Sequence, residues 1–224
     1  YMVPMTIGFL VAGPISGWLS DRSGARAYAT GGMLLAALTF VGLMLLPVNF
    51  SFPIFGTLLL LNGIGMGLFA APNRAAVMNS LPPNRRGVGA GMSTTFQNSA
   101  MVLSIGIFFS LMITGLAHSL PHALVAGLTA QQVPVAAAQQ VAALPPVAVL
   151  FASLLGYNPM WQLLGPAALN VLGQLPAHSQ ATLLGQEFFP SLISPPFAHG
   201  LQVAFGFAIA ACLIAALASV LRGG

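Results

Sequence analysis

The side chains able to do chemistry in this sequence are few, and their spacing excludes most of it. The chain of 224 residues has 6 Lys+Arg, all of them arginine, against 2 Asp+Glu, with 4 His and 1 Cys. His118 and His122 stand at i, i+4 and would share one helix face as metal ligands. No acid or cysteine nearby completes a site, so they read as interfacial histidines and no metal is expected. Cys212 lies among alanines and reads as a small packing residue. No Ser-His-Asp set, phosphate-binding glycine loop or paired carboxylates occur where they would form a site. No catalytic residue, no enzyme and no cofactor are therefore expected. The pI near 10.3 rests on scattered arginines without a basic stripe, which argues against nucleic acid as a partner.

Two polar groupings remain. Residues 17–26 read Gly17-Trp18-Leu19-Ser20-Asp21-Arg22-Ser23-Gly24-Ala25-Arg26. Gly17 and Gly13 make a small-xxx-small face for close helix packing. Gly24 permits a tight turn. Asp21 is placed to cap the following helix or to meet its positive dipole end. Arg22 and Arg26 reach anionic head groups or neighbouring carbonyls.

The second grouping interrupts apolar stretches. At helical periodicity Asn62, Met66, Phe69 and Asn73 share one stripe, while Gly63, Gly67 and Arg74 share the next. With Gly65, these glycines indicate a helix-contact face, so Arg74 is expected to point into protein. An arginine near mid-bilayer costs roughly 2.5–3.5 kcal/mol on translocon-based scales and calls for a partner. The options are pairing with Asp21 or with an acid outside this chain, snorkelling to the interface, or direct contact with a substrate. Gln97 and Asn98 are adjacent and point apart, so helix-helix bonding is expected of one and cavity lining is open to the other.

The elements that must position these residues follow from composition. Hydrophobic residues make up 57% and charged residues 4%. A soluble domain carries about 25% charge, so neither a soluble fold nor a disordered chain fits. The mean hydropathy is +0.91. Crossing a bilayer takes about 20 apolar residues. Five stretches qualify, at about Met2 to Leu19, Ala27 to Pro47, Pro53 to Leu81, Val88 to Leu116 and Leu201 to Leu221. Backbone groups in lipid must be satisfied internally, so each is expected to be a helix.

Charge placement orients them. Asp21, Arg22 and Arg26 follow the first span, Arg85 and Arg86 the third, and Arg222 the fifth, all on one side. By the positive-inside rule that side is the cytoplasm. Loops 20–26 and 82–87 and the C-terminus are then cytoplasmic. Residues 117–200 form a long extracytoplasmic segment, expected to hold short amphipathic helices between its many prolines. The domains are thus 1–116 with four helices, the outer segment 117–200, and the last helix with its tail, 201–224. The chain starts on apolar residues without an initiator Met, and is expected to be a piece of a longer protein.

The decapeptide resembles the cytoplasmic signature between the second and third helices of each half of the major facilitator superfamily. The resemblance implies that Gly17, Asp21, Arg22, Gly24 and Arg26 act in conformational gating. Asn62-Gly63-Ile64-Gly65-Met66-Gly67 resembles the glycine-rich part of the family's fourth-helix motif, with Leu59 where that motif has an arginine. Pro82-Pro83-Asn84-Arg85-Arg86-Gly87 resembles the short loop that follows. The outer segment, with Leu155-Gly156-Tyr157-Asn158-Pro159, is similar to 14-helix drug:proton antiporters of the EmrB/QacA type. The fold class so implied is an all-α integral membrane protein, with five helices of an incomplete C-terminal bundle.

The function implied is proton-coupled efflux of drugs or other small lipophilic compounds by alternating access in the cell membrane. A dedicated metabolite exporter or importer, or a non-transporting truncated membrane protein, are the alternatives. The expected partners are a small-molecule substrate, protons, the lipid bilayer and the N-terminal helices of the same protein. No span holds an acid, so the proton-coupling carboxylate is expected in that N-terminal part.

Overall fold

A computed structural model describes residues 2–47, 49–147, 164, 168–185 and 187–221. Among them every regular element is helical. Five helices are long and apolar enough to cross a membrane. They are α1 (Val3–Ser23), α2 (Ala25–Met44), α3 (Phe52–Asn79), α4 (Arg86–Ala130) and, after three short helices, α8 (Phe188–Leu221). The short ones are α5 (Val135–Ala142), α6 (Ala168–Gly173) and α7 (Ala177–Leu184). The protein is an all-α multi-pass membrane protein. Arg222 and the Leu155-to-Pro159 stretch lie outside the described residues.

Local chemistry sets the helix ends. Gly24 takes φ +90°, a conformation only glycine adopts cheaply, and its N–H donates to the Ser20 carbonyl at 2.9 Å. One residue thereby ends α1 and starts α2. No side chain caps α2, so Asp21 does not form the expected cap but sits exposed in the last turn of α1. A proline at the entry of α3 costs nothing, because its missing N–H would be unpaired there. Pro14 and Pro72 lie inside α1 and α3. Membrane helices tolerate this because neighbouring groups satisfy the freed carbonyls.

Two spans differ in length from the sequence expectation. α4 has 45 residues and runs past Leu116 to Ala130. At about 1.5 Å per residue it is roughly 68 Å long, against a hydrocarbon core of about 30 Å, so much of it must project beyond the lipid. α8, with 34 residues, likewise starts well before Leu201. The prolines of the outer segment do not all cut the chain as expected: Pro121, Pro195 and Pro196 lie within helices, whereas Pro134 and Pro176 directly precede α5 and α7.

The chain divides into two compact units, residues 1–108 with 204–224, and residues 109–203. In the first, α3 lies between α1 and α2, and the last part of α8 packs on α2. Cys212 and Ala216 bury against Met33, Ala36 and Ala37. Thr30 donates to Ser219 at 3.1 Å, and Phe40 and Phe205 stack with centroids 5.8 Å apart. Ile7, Leu10 and Leu38 are exposed, as lipid-facing residues of a bundle should be.

The second unit has an apolar core of its own. Leu116, Leu120, Leu124 and Leu128 recur every four residues on α4 and are buried with Val141, Leu183 and Phe189. That single stripe explains why α4 continues: beyond the span the helix is still amphipathic.

Candidate functional site

The polar residues of the spans fall into a packed interior contact and an open cleft. Asn62 belongs to the first. It is 4% exposed, and its side-chain amide donates to the Thr39 hydroxyl at 2.8 Å, which in turn donates to the Ala36 carbonyl at 2.8 Å. This chain ties α3 to α2. Asn62→Leu is expected to cost about 0.6 kcal/mol, the average for such bonds, and at most about 1.7. Thermal unfolding of Asn62→Leu, Thr39→Val and the double variant checks this. Strictly additive losses would show that the two side chains do not act as a pair.

The close approaches of the first unit are made by glycines. A Cβ on Gly65 would lie 2.8 Å from the Gly32 carbonyl oxygen of α2. One on Gly67 would lie 2.9 Å from the Ala12 Cβ and 3.0 Å from the Gly13 backbone nitrogen of α1. One on Gly63 would collide with the Met5 carbonyl. Gly13 and Gly17 differ from the expectation for them. A Cβ on Gly13 would meet nothing within 4 Å, and one on Gly17 would meet Ala71 at an ordinary 3.8 Å. The tight face on α1 is instead at Gly8, where a Cβ would collide with the Leu60 carbonyl.

The cleft lies among α1, α3 and α4 and holds about 930 Å³. Each helix contributes residues at helical spacing: Met5, Phe9 and Gly13 from α1, Ser93 and Gln97 from α4, and Met66, Phe69, Asn73 and Arg74 from α3. The volume lies within the range of small-molecule sites, about 300–1,000 Å³, and mostly apolar walls with a few polar groups are the usual lining. Asn62 begins the same stripe of α3 but is taken up by Thr39.

Arg74 is exposed in this cleft, and its guanidinium donates to the Gln97 side-chain carbonyl at 3.2 Å. Of the options open to Arg74, the pairing with Asp21 is not formed. The loop after α3 turns α4 back along it and brings Gln97 within reach, whereas Asp21 stays at the end of α1. Asn98, next to Gln97, is exposed and lies outside the cleft lining. The sequence reading missed Met5 and Phe9. Their four-residue spacing to Gly13 was the available signal.

The decapeptide lies apart from the cleft lining. Asp21, Arg22 and Arg26 are exposed. Arg22 sits over the Trp18 ring at 4.0 Å, a cation–π contact that i, i+4 spacing could have indicated. Ser23 and Tyr28 share a hydrogen bond of 2.8 Å across the turn. No group of three His, Cys, Asp or Glu suited to a metal occurs among the described residues, and His118 and His122 are exposed on α4.

Residues 1–105 match the family model described as Major Facilitator Superfamily. Three curated relatives are similar. The riboflavin transporter RibZ of Clostridioides difficile is 28% identical over 106 residues, covering 47% of this chain and 23% of the relative. The methyl viologen resistance protein SmvA of Salmonella typhimurium is 32% identical over 136 residues, covering 59% and 26%. The triacylglyceride transporter Rv1410c of Mycobacterium tuberculosis is 27% identical over 139 residues, covering 52% and 27%. The chain thus spans about a quarter of the length of these relatives. No solved structure matches. The likeness to this family rests on residues 1–105, which carry the decapeptide, the glycines of α3 and the whole cleft lining.

Proposed function

We propose that this chain contributes part of one helix bundle to a proton-coupled exporter of small, often lipophilic compounds, of the EmrB/QacA 14-helix type. The observation that carries the reading is the cleft: an open, mostly apolar hollow of about 930 Å³ whose polar groups gather on α3 and α4. One bundle offers such a surface to a substrate, and an opposing bundle closes it during alternating access. SmvA is a methyl viologen resistance protein, which favours drug export. The named substrate of RibZ, riboflavin, favours the second reading, a carrier dedicated to one metabolite.

On this proposal loops 20–26 and 82–87 and the C-terminus are cytoplasmic, and residues 117–200 extracytoplasmic. Arg22 and Arg26 with Arg85 and Arg86 support that orientation. Gly17, Asp21, Arg22, Gly24 and Arg26 act as the gating turn, joining α1 rigidly to α2 through Gly24. Protons are bound outside this chain, because the one acid on its membrane-crossing helices, Asp21, lies exposed in the last turn of α1, away from the cleft.

Dye efflux in cells expressing the protein at its natural length tests the reading. Several unrelated dyes should leave energised cells, and a protonophore should stop them. Ser93→Trp, which fills the cleft from α4, should cut efflux at least about tenfold, a barrier of about 1.4 kcal/mol. Transport restricted to one compound would select the dedicated carrier. Unchanged efflux in Ser93→Trp would remove the cleft from the mechanism.

A further inference from the structure

We infer that the cleft recognises an amphiphilic organic anion, a carboxylate or phosphate on an apolar body; the inference rests on the cleft being a binding site. Arg74 supplies the reason. Its guanidinium is always charged and carries five N–H donors. The hydrogen bond it makes goes to the neutral carbonyl of Gln97 at 3.2 Å, which orients the group without neutralising it. No carboxylate occurs in the cleft lining. Among the described residues the exposed guanidinium has no carboxylate beside it to neutralise its charge, and its planar fork offers a carboxylate or phosphate two parallel bonds.

The remaining lining fits the rest of such a molecule. Ser93 and Asn73 stand near Arg74 in sequence register on α4 and α3 and add polar character at the same end. Met5, Phe9, Met66 and Phe69 supply adaptable, polarizable walls for an apolar body. Gln97 is a positioning residue: it holds the fork toward the cleft and keeps the arginine from folding away to the interface.

Three dansylated long-chain probes of the same length distinguish the possibilities, one ending in a carboxylate, one in its methyl ester and one in a quaternary ammonium. Binding is read by fluorescence on the chain in phosphatidylcholine nanodiscs. The carboxylate should bind at least about tenfold more tightly than the other two, the scale of one charge-assisted bond. Arg74→Gln should abolish that preference, and Arg74→Lys should restore part of it, because the charge returns without the fork. Gln97→Ala should weaken only the carboxylate probe.

Repeating the titration with phosphatidylglycerol separates two sources of the anion. Competition assigns a lipid head group, and no competition assigns an anion delivered from water; both carry the inference. Equal binding of the ammonium probe, or unchanged carboxylate binding in Arg74→Gln, overturns it. Ser93→Trp tells that failure from a failure of the cleft itself. If all three probes still bind to Ser93→Trp, the cleft is not where they bind.

Discussion

Gly63→Ala is expected to destabilise the first unit by at least about 2 kcal/mol, the upper part of the range for overpacking a fitted interior. The new Cβ would fall on the Met5 carbonyl oxygen, with the carbonyl carbon at 2.8 Å and Met5 Cα at 3.0 Å. All three obstacles are backbone of α1, so no side chain can rotate away and the helices must part. Alanine is the better helix former by about 1 kcal/mol, which opposes the loss. The overlap wins because parting the helices also opens the Gly8 and Gly67 approaches, which lie on the same seam.

The control is Gly106→Ala on α4, where a Cβ meets nothing within 4 Å. It should be neutral or gain up to about 1 kcal/mol from propensity alone. Gly13→Ala should behave like the control, despite its place one turn before Gly17. Thermal unfolding in detergent, followed by circular dichroism, measures all three. Equal stability of Gly63→Ala and Gly106→Ala would dismiss the seam as the source of bundle stability.

Leu124→Ala should cost about 2–5 kcal/mol, from lost burial and the cavity left behind. Leu124 is 0% exposed in the core of the second unit, between Leu120 and Leu128 on the same stripe. Leu103→Ala, on the same helix but 64% exposed, should change stability by less than about 0.5 kcal/mol. The damage should also be local. The two apolar clusters share no residue, so cleavage within residues 131–187 should accelerate while the bundle of α1, α2 and α3 stays folded. Simultaneous loss of both units in limited proteolysis would show that they fold as one.

These expectations separate what could be read along the chain from what could not. The five spans were legible because lipid imposes a one-dimensional test, an apolar run long enough to cross. Close packing at the glycines of α3 was legible for a similar reason, since 63, 65 and 67 are small; they form two faces and not one, Gly63 and Gly67 meeting α1 and Gly65, on the opposite side of the helix, meeting α2. Lengths were not legible at α4 and α8. A helix continuing past the membrane needs only a partner for its stripe, and the partner of Leu116 to Leu128 comes from residues far along the sequence. Prolines misled at 121, 195 and 196, because their cost depends on what else satisfies the freed carbonyls.

Composition and charge placement by themselves determined that this is a helical membrane protein with an arginine-marked set of loops and no acid in the apolar core of its spans, Asp21 falling in the last turn of α1. Those properties follow from transfer free energies, which add residue by residue. Which polar side chain meets which was decided only in three dimensions. Asn62 and Asn73 share a stripe, yet Asn62 is taken by Thr39 while Asn73 lines the cleft. Arg74 meets Gln97 rather than Asp21, and α1 and α3 approach closely at Gly63 and Gly67, whereas Gly17 makes only an ordinary contact with Ala71. Each outcome turns on distances of an ångström or less between helices, and no one-dimensional pattern encodes them.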